Sequence, residues 1–131
     1  MLRLKRCRCE GGDHEKRFFE ASWVFKKDGK YYYTYSTGDT HFLNYAIGTN
    51  PYGPFTYTGH ILKPVQGWTT HHSIIQKDGK WWLFYADTQI SNKNHLRNVK
   101  VTELKVILKA EARGSVEAIR VSPTSPCLST V

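Results

Sequence analysis

The amino-acid sequence predicts an all-β protein, a partial β-propeller of about two four-stranded blades flanked by irregular basic tails. The first observation is an internal repeat: residues 27–35 and 77–85 align at an offset of 50 residues without a gap. Lys, Asp, Gly, Lys and a final Tyr are identical in the two copies. The second observation is the near absence of helix-forming stretches before residue 105. A repeat of about this length with four short strands is typical of a propeller blade.

Each copy of the repeat predicts a β-hairpin. Asp28-Gly29 and Asp78-Gly79 suit a type I′ turn, which needs positive φ at both central residues. The runs after the turns are aromatic and β-branched, which favours a pleated surface buried on at least one face. The predicted hairpin strands are 20–26 with 30–36 and 71–77 with 80–86.

Two further strands complete the first blade. Phe42–Gly48 is predicted as its third strand and Phe55–Ile61 as its fourth, with a Pro- and Gly-containing loop at 50–54. His95–Leu104 is the predicted third strand of the second blade. The predicted organisation is an irregular segment at 1–10 and a partial propeller at 11–104, with blades at about 18–62 and 68–104.

The last part of the chain, residues 105–131, is expected to be a poorly ordered tail. Its only helix-forming composition lies at 105–119, around Ala110-Glu-Ala-Arg113, so a short helix is considered there. Gly114 interrupts that stretch, and Ser122-Pro-Thr-Ser-Pro126 is a loose polar sequence.

Charge is concentrated in the flanks of the chain. The 19 Lys and Arg against 11 Asp and Glu give a formal net charge of +8, but residues 18–92 hold 6 basic and 5 acidic side chains. A basic flank can bind nucleic acid, although the aromatic runs lie in the near-neutral middle and do not alternate with basic residues. We therefore expect no nucleic-acid partner. No run of about 18 apolar residues occurs, so no membrane-spanning helix is predicted.

The first residues and the cysteines bear on cellular location. Residues 1–9 are basic but carry no apolar run, so no secretion signal is predicted and a cytoplasmic location is the default expectation. The chain has three cysteines, Cys7, Cys9 and Cys127. Their odd number and the absence of a metal-knuckle spacing favour reduced thiols without a defined function.

The candidate catalytic residues lie where the first strand of each predicted blade begins. Glu20 opens the first strand among Phe18, Phe19 and Trp23, and a poorly solvated carboxyl group favours the protonated form that a general acid requires. The alternative is a solvated strand-edge glutamate. His71 and His72 open the matching strand of the next blade, and strand alternation lets only one of them face a central site.

Two more side chains are candidates for contacts with a ligand. Arg97, expected on the third strand of the second blade, could clamp a carboxylate or sugar hydroxyls, although a surface role is an equal alternative. Trp68 could stack on a sugar ring, although aromatic residues at this density are mostly core. Two blades alone leave apolar faces uncovered, so self-association through those faces is expected.

In order and spacing, several segments resemble glycoside hydrolase family 43, the β-xylosidases, α-L-arabinofuranosidases and arabinanases. The resemblance covers about 11–104 and corresponds to the C-terminal half of the family's propeller. The segments that carry it are Phe18-Phe-Glu-Ala-Ser22, Gly29–Tyr35, Tyr45-Ala-Ile47, Pro51-Tyr-Gly-Pro-Phe55, Gly67-Trp-Thr-Thr-His-His-Ser73 and Gly79–Tyr85.

The resemblance implies a five-bladed propeller that hydrolyses glycosidic bonds of xylose- or arabinose-containing saccharides with inversion. In that mechanism one carboxylic acid protonates the leaving oxygen and a second carboxylate activates water. Glu20 matches the family's general acid, and His71 matches a central histidine that in many members helps hold calcium. Arg97 falls near the position of a substrate-contacting arginine.

The sequence departs from the family pattern ahead of Glu20. The family's base Asp and pKa-tuning Asp precede the acid, whereas Glu10, Asp13 and Glu15 are the only acidic residues before Glu20 here, and none lies in the family's motif. We therefore expect this chain to be inactive alone, because a general base contributes about 10²–10⁴-fold in rate. The alternative is a non-catalytic carbohydrate-binding or assembly module.

Overall fold

The chain folds into two four-stranded antiparallel sheets that pack face to face. The structure, a computed structural model, describes residues 14–68, 70–111 and 114–121; between 107 and 120 it describes the backbone and the Ile119 side chain. Sheet A has the order β1-β2-β3-β4 and sheet B the order β5-β6-β7-β8. Their strands are β1 Glu20–Lys27, β2 Lys30–Ser36, β3 Leu43–Gly48, β4 Thr56–Leu62, β5 His72–Lys77, β6 Lys80–Asp87, β7 Asn98–Glu111 and β8 Gly114–Val121.

Both predicted hairpin turns are present. Asp28 and Gly29 have φ values of 49° and 77°, and Asp78 and Gly79 have φ values of 53° and 75°. Positive φ at both central residues is the type I′ requirement, and it twists the flanking strands in the right-handed sense. The all-β, partial-propeller prediction is thus confirmed at the level of strands and sheets. Within the described part of the chain, no helix is long and apolar enough to span a membrane.

The end of sheet B differs from the prediction. The prediction of a short helix at 105–119 is wrong, because β7 continues to Glu111 and β8 pairs with it. For the same reason, the prediction that the propeller ends at residue 104 is wrong. Ala110 and Glu111 end β7, and Glu111 pairs with Gly114 of β8, so these two residues belong to a strand pair and not to a helix. β-Branched residues before and after that point favour strands, and tertiary pairing overrides weak helix propensity. The segment 1–10, the cysteines and the tail after Val121 lie outside the described residues.

The core lies between the sheets and is built mainly from aromatic and aliphatic side chains. The Phe25 and Trp81 rings pack at a centroid distance of 4.9 Å, and the Trp23 indole donates to the Ile74 carbonyl at 3.1 Å. At the far edge, the Ile119 backbone N–H donates to the Tyr45 hydroxyl at 3.3 Å. β1 therefore contacts β5, and β4 contacts β8. The buried cluster comprises Phe25, Tyr32, Leu43, Tyr45, Ile61, Ile74, Leu83, Leu104 and Ile119.

Candidate functional site

The antiparallel topology collects the candidate residues at one end of the two sheets. Glu20 begins β1, His71 immediately precedes β5, and Arg97 immediately precedes β7. Trp68 lies in the segment that leads into β5. Because β2 and β6 end where β1 and β5 begin, the loops at 37–42 and 88–97 lie at this same end. We call this the site end of the molecule.

Glu20 and His71 come together across the two sheets. The distance between Glu20 Oε1 and His71 Nε2 is 3.6 Å, and the side chains are 34% and 65% exposed. Glu20 and His71, which open the matching strands of the two sheets, therefore lie close together, and their catalytic and metal-binding roles remain predictions. A half-exposed carboxylate next to an exposed imidazole can bind a polar ligand and exchange protons with it.

A β-bulge aims the Glu20 side chain. The register of β1 against β2 shifts between Glu20 and Trp23, and Ala21 has a φ of 57°, in the left-handed region. A bulge re-aims side chains at a strand end, and a non-glycine residue at positive φ carries strain of the kind found at functional sites. The sequence gives no signal for this bulge, because alanine is not typical of left-handed backbone.

Substitutions at position 21 test whether the bulge is obligatory. We expect Ala21→Gly to keep stability within about 1 kcal/mol of the parent, since glycine adopts positive φ readily but loses more entropy on folding. Ala21→Val should destabilise by about 1–3 kcal/mol, because a β-branched residue is strained at positive φ. Urea denaturation measures both, with Thr56→Val, at an exposed position of β4, as the control. Equal stability of all three variants would contradict an obligatory left-handed residue.

Thr70 fixes the backbone that carries His71. The Thr70 hydroxyl donates to the Ala86 carbonyl at 2.5 Å and accepts from the Ala86 N–H at 3.1 Å, and the Thr70 carbonyl accepts from the Ser36 hydroxyl. Thr70 is 2% exposed and Ser36 is 1% exposed. Since buried hydroxyls are costly to leave unpaired, this network holds the start of β5 against both sheets. Sequence analysis missed Thr70, which no residue pattern distinguishes from other threonines.

The second histidine of the pair points the other way. His72 Nε2 lies 2.7 Å from the Thr34 hydroxyl on sheet A, while His72 Nδ1 is buried without a hydrogen-bond partner among the described residues. Burial, followed by the nearby His71, lowers the pKa of His72 to about 4. His72 is therefore neutral and structural, as strand alternation predicts for one member of the pair.

Trp68 and Arg97 take different places at the site end. Trp68 is 47% exposed and packs edge-on against the His41 ring, with the centroids 4.7 Å apart at 77°. The sequence analysis did not single out His41, whose φ is 54°. Arg97 is exposed and lies in the loop before β7, not on the predicted third strand, and its Nε donates to the Asn94 carbonyl at 3.3 Å. The ligand-binding roles of Trp68 and Arg97 stay predictions.

A buried ion pair anchors the loop that contains Arg97. Asp87 at the end of β6 lies 2.6 Å from Lys100 Nζ, and both side chains are less than a tenth exposed. The same carboxylate accepts hydrogen bonds from the Asn98 side chain at 2.6 Å and the Gln89 N–H at 3.1 Å. Burial raises the pKa of Asp87, but these hydrogen bonds and Lys100 outweigh it, so the net effect is a lowered pKa. Asp87 therefore holds both ends of the loop.

Comparison with known proteins agrees with the fold. No family model matches the sequence. Xylosidase/arabinosidase 43A of Humicola insolens is 62% identical over 93 residues, 70% of this chain and 28% of that protein. A β-xylosidase of Xylanibacter ruminicola is 56% identical over 109 residues, 82% of this chain and 33% of that protein.

A solved structure shows the same arrangement of sheets. It is the calcium-free form of a family 43 β-xylosidase/α-arabinofuranosidase from a compost microbial metagenome, in complex with xylotriose. The TM-score is 0.70 at 58% identity, covering 84% of this chain and 32% of that one. The fold and these similarities define the class: consecutive blades of a β-propeller of the family 43 type. The chain belongs to glycoside hydrolase family 43, and it spans about a third of the length of the relatives it matches.

Proposed function

We propose that this chain carries the proton-donating part of a family 43 site that acts on xylose- or arabinose-containing saccharides. The observation that supports it best is the 3.6 Å approach of Glu20 and His71 across two sheets. In this proposal Glu20 is the general acid that protonates the leaving oxygen, and Trp68 and Arg97 contact the sugar. The bulge at Ala21 positions the Glu20 carboxyl group.

We further propose that the chain alone does not hydrolyse glycosides. An inverting reaction needs a second carboxylate, on the opposite side of the sugar, to activate water. Asp87, the most buried carboxylate at the site end, is committed to Lys100, Asn98 and Gln89 and is not available as a base. In this proposal Glu20 has no carboxylate partner that activates water, and saccharide binding is the function of the chain alone.

Calcium is implied by the family, but the described residues do not form a site for it by themselves. In the described part of the chain no three His, Cys, Asp or Glu side chains are grouped so that they could hold a metal ion. Ca²⁺ prefers about six to eight oxygen ligands, and His71 would offer one nitrogen. No part of the proposed function depends on the ion.

Xylotriose binding and aryl-xyloside hydrolysis test the proposal together. We expect calorimetry to detect xylotriose binding, Trp68→Ala to weaken it at least about tenfold through loss of a stacking face, and no turnover above background. Tyr52→Ala, which removes another exposed aromatic side chain, is the matched control and should leave binding unchanged. Absence of binding would overturn the proposal.

The effect of Glu20→Gln on saccharide binding separates a chain in which Glu20 is a proton donor held against the saccharide from a binding module in which Glu20 has no role. If the parent chain turns over substrate and Glu20→Gln abolishes turnover, Glu20 is the acid but the proposal of an inactive chain is wrong. If the parent binds without turnover, and Glu20→Gln binds equally, the chain acts as a non-catalytic carbohydrate-binding module. The half-exposed Trp68 ring at the site end favours this second candidate.

A further inference from the structure

The loop that joins β2 to β3 holds a histidine in an unusual backbone conformation. His41 has a φ of 54°, in the left-handed region, and its N–H donates to the Gly38 carbonyl at 3.0 Å. The two ends of the loop, residues 37–42, are joined by two further hydrogen bonds. The Thr37 N–H donates to the Phe42 carbonyl at 2.9 Å, and the Phe42 N–H donates to the Thr37 hydroxyl at 2.8 Å. Because Thr37 is fully buried, these bonds fix the backbone that carries the imidazole.

The backbone of the loop does not by itself account for a histidine at position 41. Glycine adopts positive φ without steric cost, whereas a residue with a side chain is strained there. In addition, His41 Nδ1 is buried without a hydrogen-bond partner among the described residues. A buried unpaired polar atom costs free energy. These two costs indicate that the imidazole ring has a role of its own at this position.

The ring of His41 contacts the indole of Trp68. The centroids lie 4.7 Å apart and the ring planes are at 77°, so the edge of one ring meets the face of the other. This is a favourable arrangement for two aromatic rings. Trp68 is still 47% exposed, so about half of its surface stays open at the site end.

The backbone next to Trp68 is fixed by the other sheet. The Thr88 N–H, just after β6, donates to the Gln66 carbonyl at 3.0 Å. Gly67 has a φ of 113°, and a Cβ atom at this position would lie 3.0 Å from Thr88 Cγ2. Only glycine suits this conformation at such a close approach. Sheet B thus fixes the backbone that leads into Trp68, while the loop of sheet A contacts its ring.

We propose that His41 is a positioning residue that holds the Trp68 indole in one orientation at the site end. A mobile side chain loses rotamer freedom when a ligand orders it, and that loss weakens binding. His41 orders the indole before a ligand arrives. The consequence for saccharide binding rests on the proposed function, whereas the orientation of Trp68 does not depend on it.

Fluorine NMR of the chain labelled with fluorinated tryptophan tests the orientation of Trp68 without a saccharide. The chain has four tryptophans, and Trp68→Phe identifies the Trp68 signal by its loss. His41→Asn removes the ring and keeps a residue that tolerates left-handed backbone. We expect His41→Asn to shift the Trp68 signal and to leave the remaining signals in place. His95→Asn, which changes an exposed histidine in the 88–97 loop, is the matched control and should shift none.

Xylotriose titrations test the consequence for binding. We expect His41→Asn to weaken binding about three- to tenfold, the effect of one newly mobile side chain. The His95→Asn control should bind as the parent does. In the Trp68→Ala background, His41→Asn should have no further effect, because His41 acts only through Trp68. An equal effect of His41→Asn in both backgrounds would overturn the proposal.

The fluorine signal of Trp68 separates the role of His41 from the proposed function. A folded His41→Asn chain with an unshifted Trp68 signal would overturn the role of His41. If the parent does not bind xylotriose and the Trp68 signal shifts, the proposed function is overturned and the positioning role is supported. Circular dichroism shows whether His41→Asn is folded, and His41→Gly replaces it if it is not.

Discussion

Replacing Asp87 by alanine is expected to destabilise the fold by about 3–5 kcal/mol, the cost of leaving a buried charge unpaired. Lys100 is 6% exposed and lies 2.6 Å from Asp87, so its ammonium group would remain in the interior without the carboxylate. The Asn98 amide and the Gln89 N–H would lose an acceptor as well. Urea denaturation measures the loss as a lower midpoint.

Two controls make the Asp87 result specific. Asp39→Ala removes an exposed carboxylate and should change stability by no more than about 0.5 kcal/mol. The double variant Asp87→Leu with Lys100→Met removes both charges and should recover much of the loss, because no unpaired charge remains. A double variant as unstable as Asp87→Ala would show that the cost comes from packing rather than from the ion pair.

Lowering the pH should remove the stabilisation that Asp87 provides, in a pH range set by its lowered pKa. The folded-state pKa of Asp87 is lowered, so the pair contributes its full stability above the ordinary pKa of an aspartate. That contribution is lost as the pH falls through the lowered value, where the folded chain takes up the proton.

Burial of neutral His72 is expected to make the protein lose about 3 kcal/mol of stability between pH 6.5 and pH 4. The folded-state pKa is about 4, against an ordinary value of 6.5. At pH 7 both the folded and the unfolded chain carry a neutral His72. As the pH falls, the unfolded chain binds a proton first, and so unfolding is favoured until the folded-state pKa is reached.

Free energies of unfolding measured from pH 7.5 to pH 4 check this dependence. His72→Gln removes the titrating group while leaving a side chain that can still reach the Thr34 hydroxyl, so its stability should change much less over the same range. His71→Gln removes only the smaller of the two causes of the lowered His72 pKa and should keep most of the parent's dependence. A His72→Gln variant with the parent's full pH dependence would contradict the assignment.

The two adjacent histidines have different roles at the site end. Adjacent residues at the start of a strand face opposite sides, so His71 meets Glu20 while His72 fills the space beside Thr34. A buried neutral histidine therefore supports the strand that presents the exposed one. Acid that protonates His72 should loosen the contact between β2 and β5 on which the site depends.

Local patterns in the sequence were enough to predict the hairpins and most strands. Asp-Gly turns and alternating aromatic residues specify structure over a few neighbouring positions, and the observed strands β1 to β6 begin or end within about two residues of their predicted bounds. The end of sheet B was not predictable in this way. There, weak helix propensity at 110–113 competed with strand pairing, and pairing depends on a partner strand that composition does not reveal.

By itself, the sequence determined the repeat, the two type I′ hairpins, the all-β class and the resemblance that singled out Glu20 and His71. Only the tertiary structure decided that Glu20 and His71 lie 3.6 Å apart, that Asp87 is committed to Lys100, and which face of each sheet is buried. The physical reason is the distance along the chain over which each interaction acts. Turn geometry and strand alternation are local properties of the chain, whereas proximity, desolvation and charge pairing arise only when distant segments pack against each other.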